Sequence, residues 1–339
     1  MAARLVVLIA ASACSSANAM RVVVFGGSGF IGSAVCKALV EAGCCSVQSI
    51  SRNGKDTMAS TISLTGQQKA NLARYDGEAW ISEVDWRQED SMNVPERDKS
   101  VQSGVDVYRR PVAAPPTAPK LDAVTLDGAV DVVVSCVGTG ELLKPRSDGW
   151  LGARWSPAQE QLYAQNYNPN SQAVAAAKAA GAARFVYVGV SSEAELGFGG
   201  SLPGLYTAKL DTAILAQETF GEGFTYMGPH LVVPPGDGRL KFGESGLAKN
   251  MLKANAFIGG IASMGEDMTR KTQFTPPVDV DDLAKAIAAA VTGKVKIESS
   301  ERYCGMTTPN GAPGFELTQT LRHVDGTEAI RELARRANC

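Results

Sequence analysis

Histidine is nearly missing: only His230 and His323 occur in 339 residues. That leaves too little for zinc chemistry or a histidine-based nucleophilic triad. Cysteine is present seven times, at 14, 36, 44, 45, 136, 304 and 339, yet no C-x-x-C pair and no metal-ligand spacing is formed. No metal site is therefore expected, and Cys36 and Cys136, which stand in apolar runs, read as small core hydrophobes. An excess of one charge is also lacking, since 33 basic residues face 35 acidic ones for a net charge of -2. This balance argues against a nucleic-acid partner. Long apolar runs are absent too. The run from Leu5 to Ala11 is too short to span a bilayer, and no later segment offers a span in the mature chain. What remains is a chain 45% hydrophobic and 20% charged, enough for one large or two modest domains with a real core.

Residues 1–19, "MAARLVVLIAASACSSANA", precede the first strand and stand apart as a targeting segment. One arginine, the apolar run and Ala17-Asn18-Ala19 read as a secretory signal with a small-residue cleavage site. The lack of acids and the three serines equally suit an organelle presequence.

The stretch "RVVVFGGSGFIGSAVCKAL" then carries the main signal. A β-branched run reads as a buried parallel strand, a glycine-rich turn follows, and Ile31, Val35, Leu39 and Val40 repeat at helical spacing. Strand, glycine turn and helix in this order suit a phosphate-binding loop. Gly27 and Gly29 let the backbone approach a pyrophosphate, and Gly32 lets the helix pack tightly on the strand. Gly26, Ser28, Phe30 and Ile31 complete the expected cradle. The second strand ends near Ile50, where a carboxylate would bind the ribose of NAD. Ser51, Arg52 and Lys55 stand there instead, which favours a 2′-phosphate and hence NADP over NAD. Arg52 is the expected phosphate ligand.

Farther on, "EAWISEVDWRQED" reads as a third strand with Asp90 at the adenine edge. The Pro-rich "RRPVAAPPTAPK" lies in an insertion over residues 97–128. "AVDVVVSCVG" is the fourth strand, and its exit, Cys136-Val137-Gly138, lies on the cofactor path. An alanine-rich helix leads into a fifth strand, Arg184 to Val190. Alternating strands and helices predict an α/β fold with a doubly wound parallel sheet over residues 20–230. A smaller C-terminal subdomain, residues 231–339, is expected to line the substrate or a partner. Its helix at 278–292 packs back on the core. Asp279, Asp281 and Asp282 read as N-terminal caps of that helix. Arg331, Arg335 and Arg336 lie on a terminal amphipathic helix whose expected role is a solvated face.

Together "VVVFGGSGFIGSAV", "SCVG", Asn166 in "QNYNPNSQAV", "FVYVGVSS" and "PPVDVDDLAKAI" resemble the extended and atypical short-chain dehydrogenases/reductases. The match covers residues 20 to 292 and implies a Rossmann fold. "VFGGSGFIGSAVCKALVEAGCCSVQSISRNGK" followed by "VDW" is similar to a group holding the complex I nucleotide-binding accessory subunit and the coenzyme Q biosynthesis accessory protein. A second similar group contains plastid relatives associated with lipid bodies. The resemblance implies a cofactor-holding role in a membrane-associated, quinone-related or respiratory complex, and a mitochondrial destination ahead of plastid or secretory ones.

It also implies a catalytic set: Ser191 or Ser192 after the fifth strand, with a Tyr-x-x-x-Lys pair on the next helix. Here the pair is Tyr206 and Lys209, one residue too close, with Leu205 four before the lysine. One residue of helix rotates a side chain by ~100°, so Tyr206 is expected to be swung by that much from the place the resemblance gives the phenol. Lys209 can still bind the nicotinamide ribose. Pro229 of Gly228-Pro229-His230 takes the place of a nicotinamide contact, and His230 reads as structural. An active NADP-dependent oxidoreductase acting on a small carbonyl or enoyl substrate is the alternative.

Overall fold

A computed structural model describes residues 20–44, 46–52, 54–55, 75, 77–89, 124–138, 157–198, 203–230, 232–233, 277–307 and 313–337. Residues 1–19, where a targeting segment is expected, Asp90 and the Pro-rich "RRPVAAPPTAPK" lie outside the described residues.

The strands are β1 (Arg21–Phe25), β2 (Ser46–Ser51), β3 (Val84–Gln88), β4 (Val132–Ser135), β5 (Arg184–Val188), β6 (Phe224–Gly228), β7 (Val232–Val233), β8 (Val278–Asp279), β9 (Ser299–Thr307) and β10 (Pro313–Asp325). The helices are α1 (Phe30–Glu41), α2 (Pro157–Ala179), α3 (Ser192–Phe198), α4 (Pro203–Phe220), α5 (Val280–Thr292) and α6 (Thr327–Ala337). The main sheet runs β3-β2-β1-β4-β5-β6-β10-β9. Every pairing from β3 to β10 is parallel, and β9 closes the edge antiparallel to β10. This is the doubly wound order, with its switch point between β1 and β4.

Strand period explains the two layers. Val22 and Val24 face one core with α1, α5 and α6, while Val23 and Phe25 face the other with α2 and α4. All four are fully buried, so β1 reads as a continuous apolar run and not as an alternating one. The described C-terminal elements continue this same sheet. β10 pairs with β6 through His323, Val324 and Asp325, and α5 packs on α1 and α6.

α5 begins as its acids suggest. Asp279 caps it by accepting from the Asp281 N–H at 2.8 Å, and Gly293 ends it in the left-handed region. On α6 the arginines are partnered: Arg331 with Glu328 and the Pro277 carbonyl, Arg335 and Arg336 with Glu332. Among the described residues, no helix is long and apolar enough to cross a membrane.

Candidate functional site

At the switch point β1 turns into α1 through Gly26, Gly27, Ser28 and Gly29. Gly26 has φ +76, a conformation open to glycine, and its N–H donates to the Ile50 carbonyl at 2.8 Å. Its carbonyl then accepts from the Gly29 N–H at 2.9 Å, folding the loop on itself. Gly32 is required by close approach: a Cβ there would lie 2.7 Å from the Gly26 carbonyl carbon and the Gly27 Cα. α1 starts without a side-chain cap and without an acid in its first turn. No side-chain cap and no first-turn acid competes there with an anion for the positive dipole end of the helix. Phe30 and Ile31, half-buried, begin the helix and pack against the core below.

Beside this loop β2 ends at Ser51. Ser28 Oγ donates to Ser51 Oγ at 2.7 Å, and Ser51 Oγ donates in turn to the Gly54 carbonyl at 3.3 Å. The Ser51 carbonyl also accepts from the Gly54 N–H, closing a tight turn that leaves Arg52 exposed at its tip.

Across the switch point the β4 exit meets α2 and α4. Ser135 Oγ donates to Asn170 Oδ1 at 2.5 Å, and Asn170 Nδ2 donates to the carbonyls of Val137 and Asn166. Cys136 is half-buried, and loss of water pushes its thiol up to about 12. A Cβ on Gly138 would lie 3.3 Å from Lys209 Nζ and 3.6 Å from Asn166 Oδ1, so these three groups converge. Lys209 is buried, with Nζ donating to the Val137 and Val188 carbonyls at 3.2 Å and standing 5.1 Å from the Tyr187 ring centre. Two carbonyl dipoles and a ring face surround its ammonium. Desolvation lowers its pKa to about 8, with Cys136 pulling slightly the other way.

Tyr206 takes a different direction. It is buried with Ala194, against Val190 and Leu205. Burial and the nearby Glu195 carboxylate hold its phenol well above its ordinary pKa. Among the described residues no hydrogen bond joins it to Lys209. Ser191, fully buried, lies just before α3; its Oγ accepts from the Ala194 N–H at 3.2 Å and lies 3.3 Å from His230 Nδ1. Its N–H donates to the carbonyl of Pro229, which is buried. Ser192, half-buried, directs its N–H to the Asp325 carboxylate.

One cluster escaped sequence reasoning. Arg302 of β9 is buried between Glu195 of α3, at 3.0 Å, and Asp325 of β10, at 3.6 Å. It lies 4.2 Å from the Tyr226 ring and donates to the Val190 carbonyl at 2.8 Å. Tyr226 Oη donates to the same carbonyl and accepts from the Val190 N–H. Desolvation pushes the Glu195 carboxyl up, against the pull of Arg302. The backbone just before Ser191 is thus held by Tyr226, 36 positions away, and by Arg302, 112 positions away. No local pattern near 302 signals this. Among the described residues no cluster of three metal-ligating side chains occurs.

No protein-family model and no curated protein matches the sequence. Solved structures similar to it include UDP-glucuronic acid 4-epimerase from Bacillus cereus in complex with NAD. That likeness has 16% identity and a TM-score of 0.43, over 80% of this chain and 74% of that one. ElxO with NADP bound is 13% identical with a TM-score of 0.44, over 81% of this chain and 92% of that one. A DesIV double mutant (dTDP-glucose 4,6-dehydratase) from Streptomyces venezuelae, with NAD and DAU bound, is 16% identical with a TM-score of 0.43, over 94% and 80%. The doubly wound fold of this chain rests on its own strand order and glycine turn.

Proposed function

We propose that this chain binds NADP across the switch point and holds it as an accessory element, without turning it over through a tyrosinate. Gly26, Gly27, Ser28, Gly29, Phe30, Ile31 and Gly32 would cradle the pyrophosphate at the start of α1. Arg52 would take the 2′-phosphate, Asp90 the adenine edge, and Cys136-Val137-Gly138 the middle of the cofactor. Lys209 would hold the nicotinamide ribose and Pro229 the nicotinamide face. When bound, the dinucleotide supplies hydride chemistry; this chain's residues orient it and exclude water from it. The residues present fit that group: the first turn of α1 carries no acid to compete with a phosphate, and Gly138 brings backbone close to Lys209 Nζ and Asn166 Oδ1, a donor and an acceptor that suit ribose hydroxyls.

The observation that carries the holding role is the burial of Tyr206 against Ala194, Val190 and Leu205, while Lys209 keeps its own carbonyl partners. The assembly, quinone-related or respiratory, and its mitochondrial location rest on the sequence resemblance. A reporter fused to residues 1–25 should enter mitochondria, and an endoplasmic-reticulum pattern would refute that location.

Cofactor consumption tests the holding role. The purified chain with NADPH and a panel of carbonyl and enoyl compounds should oxidise the cofactor no faster than buffer. Replacing Leu205 by Tyr and Tyr206 by Phe together restores the four-residue spacing and provides the converse. A clear carbonyl-dependent oxidation that disappears in Tyr206→Phe would instead establish the oxidoreductase alternative, with Ser191 or Ser192 beside the phenol.

A further inference from the structure

We propose that Ser28 is a specificity-determining positioning residue, which selects the 2′-phosphate by fixing the direction of the Ser51 hydroxyl. The inference rests on the NADP reading above and adds to it a role for a side chain so far credited only with lining the pyrophosphate loop.

Ser51 closes β2 about twenty residues beyond the glycine turn, at the place where a carboxylate would accept the ribose hydroxyls. A phosphate accepts hydrogen bonds and donates none at neutral pH, so this position must present a donor. A serine hydroxyl alone does not guarantee one, because it rotates freely between donor and acceptor roles. Here the rotation is constrained. Ser28, only 4% exposed, spends its proton on a lone pair of Ser51 at 2.7 Å. The Ser51 proton is therefore turned away from Ser28, toward the Gly54 carbonyl at 3.3 Å, a long contact. A phosphate oxygen beside Arg52 offers that proton a charge-assisted partner, about twice as strong as a neutral one. The 2′-hydroxyl of NADH offers only a neutral one. Ser28 thus acts through Ser51 and need not touch the phosphate itself.

Calorimetric titration of the full chain with NADPH and with NADH tests this. Ser28→Ala should weaken NADPH roughly tenfold more than it weakens NADH, the size of one hydrogen bond to a charged group. Ser51→Ala should shift the NADPH-to-NADH ratio by a similar factor. In a Ser51→Ala background, adding Ser28→Ala should change the ratio no further, since its effect passes through the missing hydroxyl. Equal weakening of both cofactors by Ser28→Ala, or a shift that persists in the Ser51→Ala background, would overturn the inference and leave the NADP reading intact. A wild-type chain that binds neither cofactor, or both equally, would overturn both.

Discussion

The two sides of the switch point are built from different materials. On the β1–α1–β2 side the candidate positions are backbone N–H groups, glycines, two hydroxyls and the exposed Arg52, all within about thirty consecutive residues. On the β5–α4–β6 side the serine loop is fixed by charge, through Arg302, Asp325 and Glu195, drawn from three separate elements. A bare helix start and small polar groups suit a ligand that brings its own charge. A buried ion cluster suits a loop that must not move. Binding should therefore fail by small local changes on the first side, while the second should fail by unfolding.

The largest effect is expected at Arg302. Arg302→Met removes the only cation of the Glu195–Arg302–Asp325 cluster, and losing one partner of a buried pair costs roughly 3–5 kcal/mol. Thermal unfolding should shift down by several degrees. A melting temperature within about a degree of wild type would show that the cluster is dispensable. Gly32→Ala should follow, because its Cβ meets the Gly26 carbonyl and Gly27 Cα, which are backbone and cannot rotate aside. NADPH affinity should drop at least tenfold while the far-ultraviolet dichroism is kept.

Lys209 sharpens the comparison, since it is a charge placed on a side otherwise held by distant ion pairs. Lys209→Ala should weaken NADPH by roughly tenfold, through its lost ribose contact. Its lowered pKa adds a sign that can be checked. In the free chain it loses its proton as pH rises through about 8, and an anionic cofactor favours the protonated form. NADPH affinity should be flat below that pH and fall above it, with protons taken up on binding near pH 8.5. The Lys209→Ala variant should show no such uptake. The smallest effect belongs to Tyr206→Phe, whose side chain is buried with Ala194 of α3, against Val190 and Leu205; cofactor affinity should change less than twofold.

How much of this was legible depended on distance along the chain. β1, the glycine turn and α1 could be read from "RVVVFGGSGFIG" because the residues that make the loop also make its contacts. α4 and the one-residue displacement of Tyr206 relative to Lys209 could be read from helix rotation alone. The fourth and fifth strands were expected to run to Gly138 and Val190, yet they end at Ser135 and Val188. Val190 leaves the ladder because Tyr226 takes both its N–H and its carbonyl, a capture that no property of Val190 foretells. The β9–β10 hairpin was not anticipated either. β10 pairs with β6 across about a hundred intervening residues, and "SSERYCGMT" lacks the apolar alternation that marks a strand. The Ser28–Ser51 bond is intermediate: both serines were visible, and their contact needed the fold.

The central claim is that a dinucleotide bearing a 2′-phosphate sits on the bare start of α1. Titrating the wild-type chain with NADPH and NADH in one buffer tests it most directly. NADPH should bind at least tenfold more tightly, and Arg52→Ala should remove most of that preference. Equal affinity for the two cofactors, or no binding of either, would contradict it.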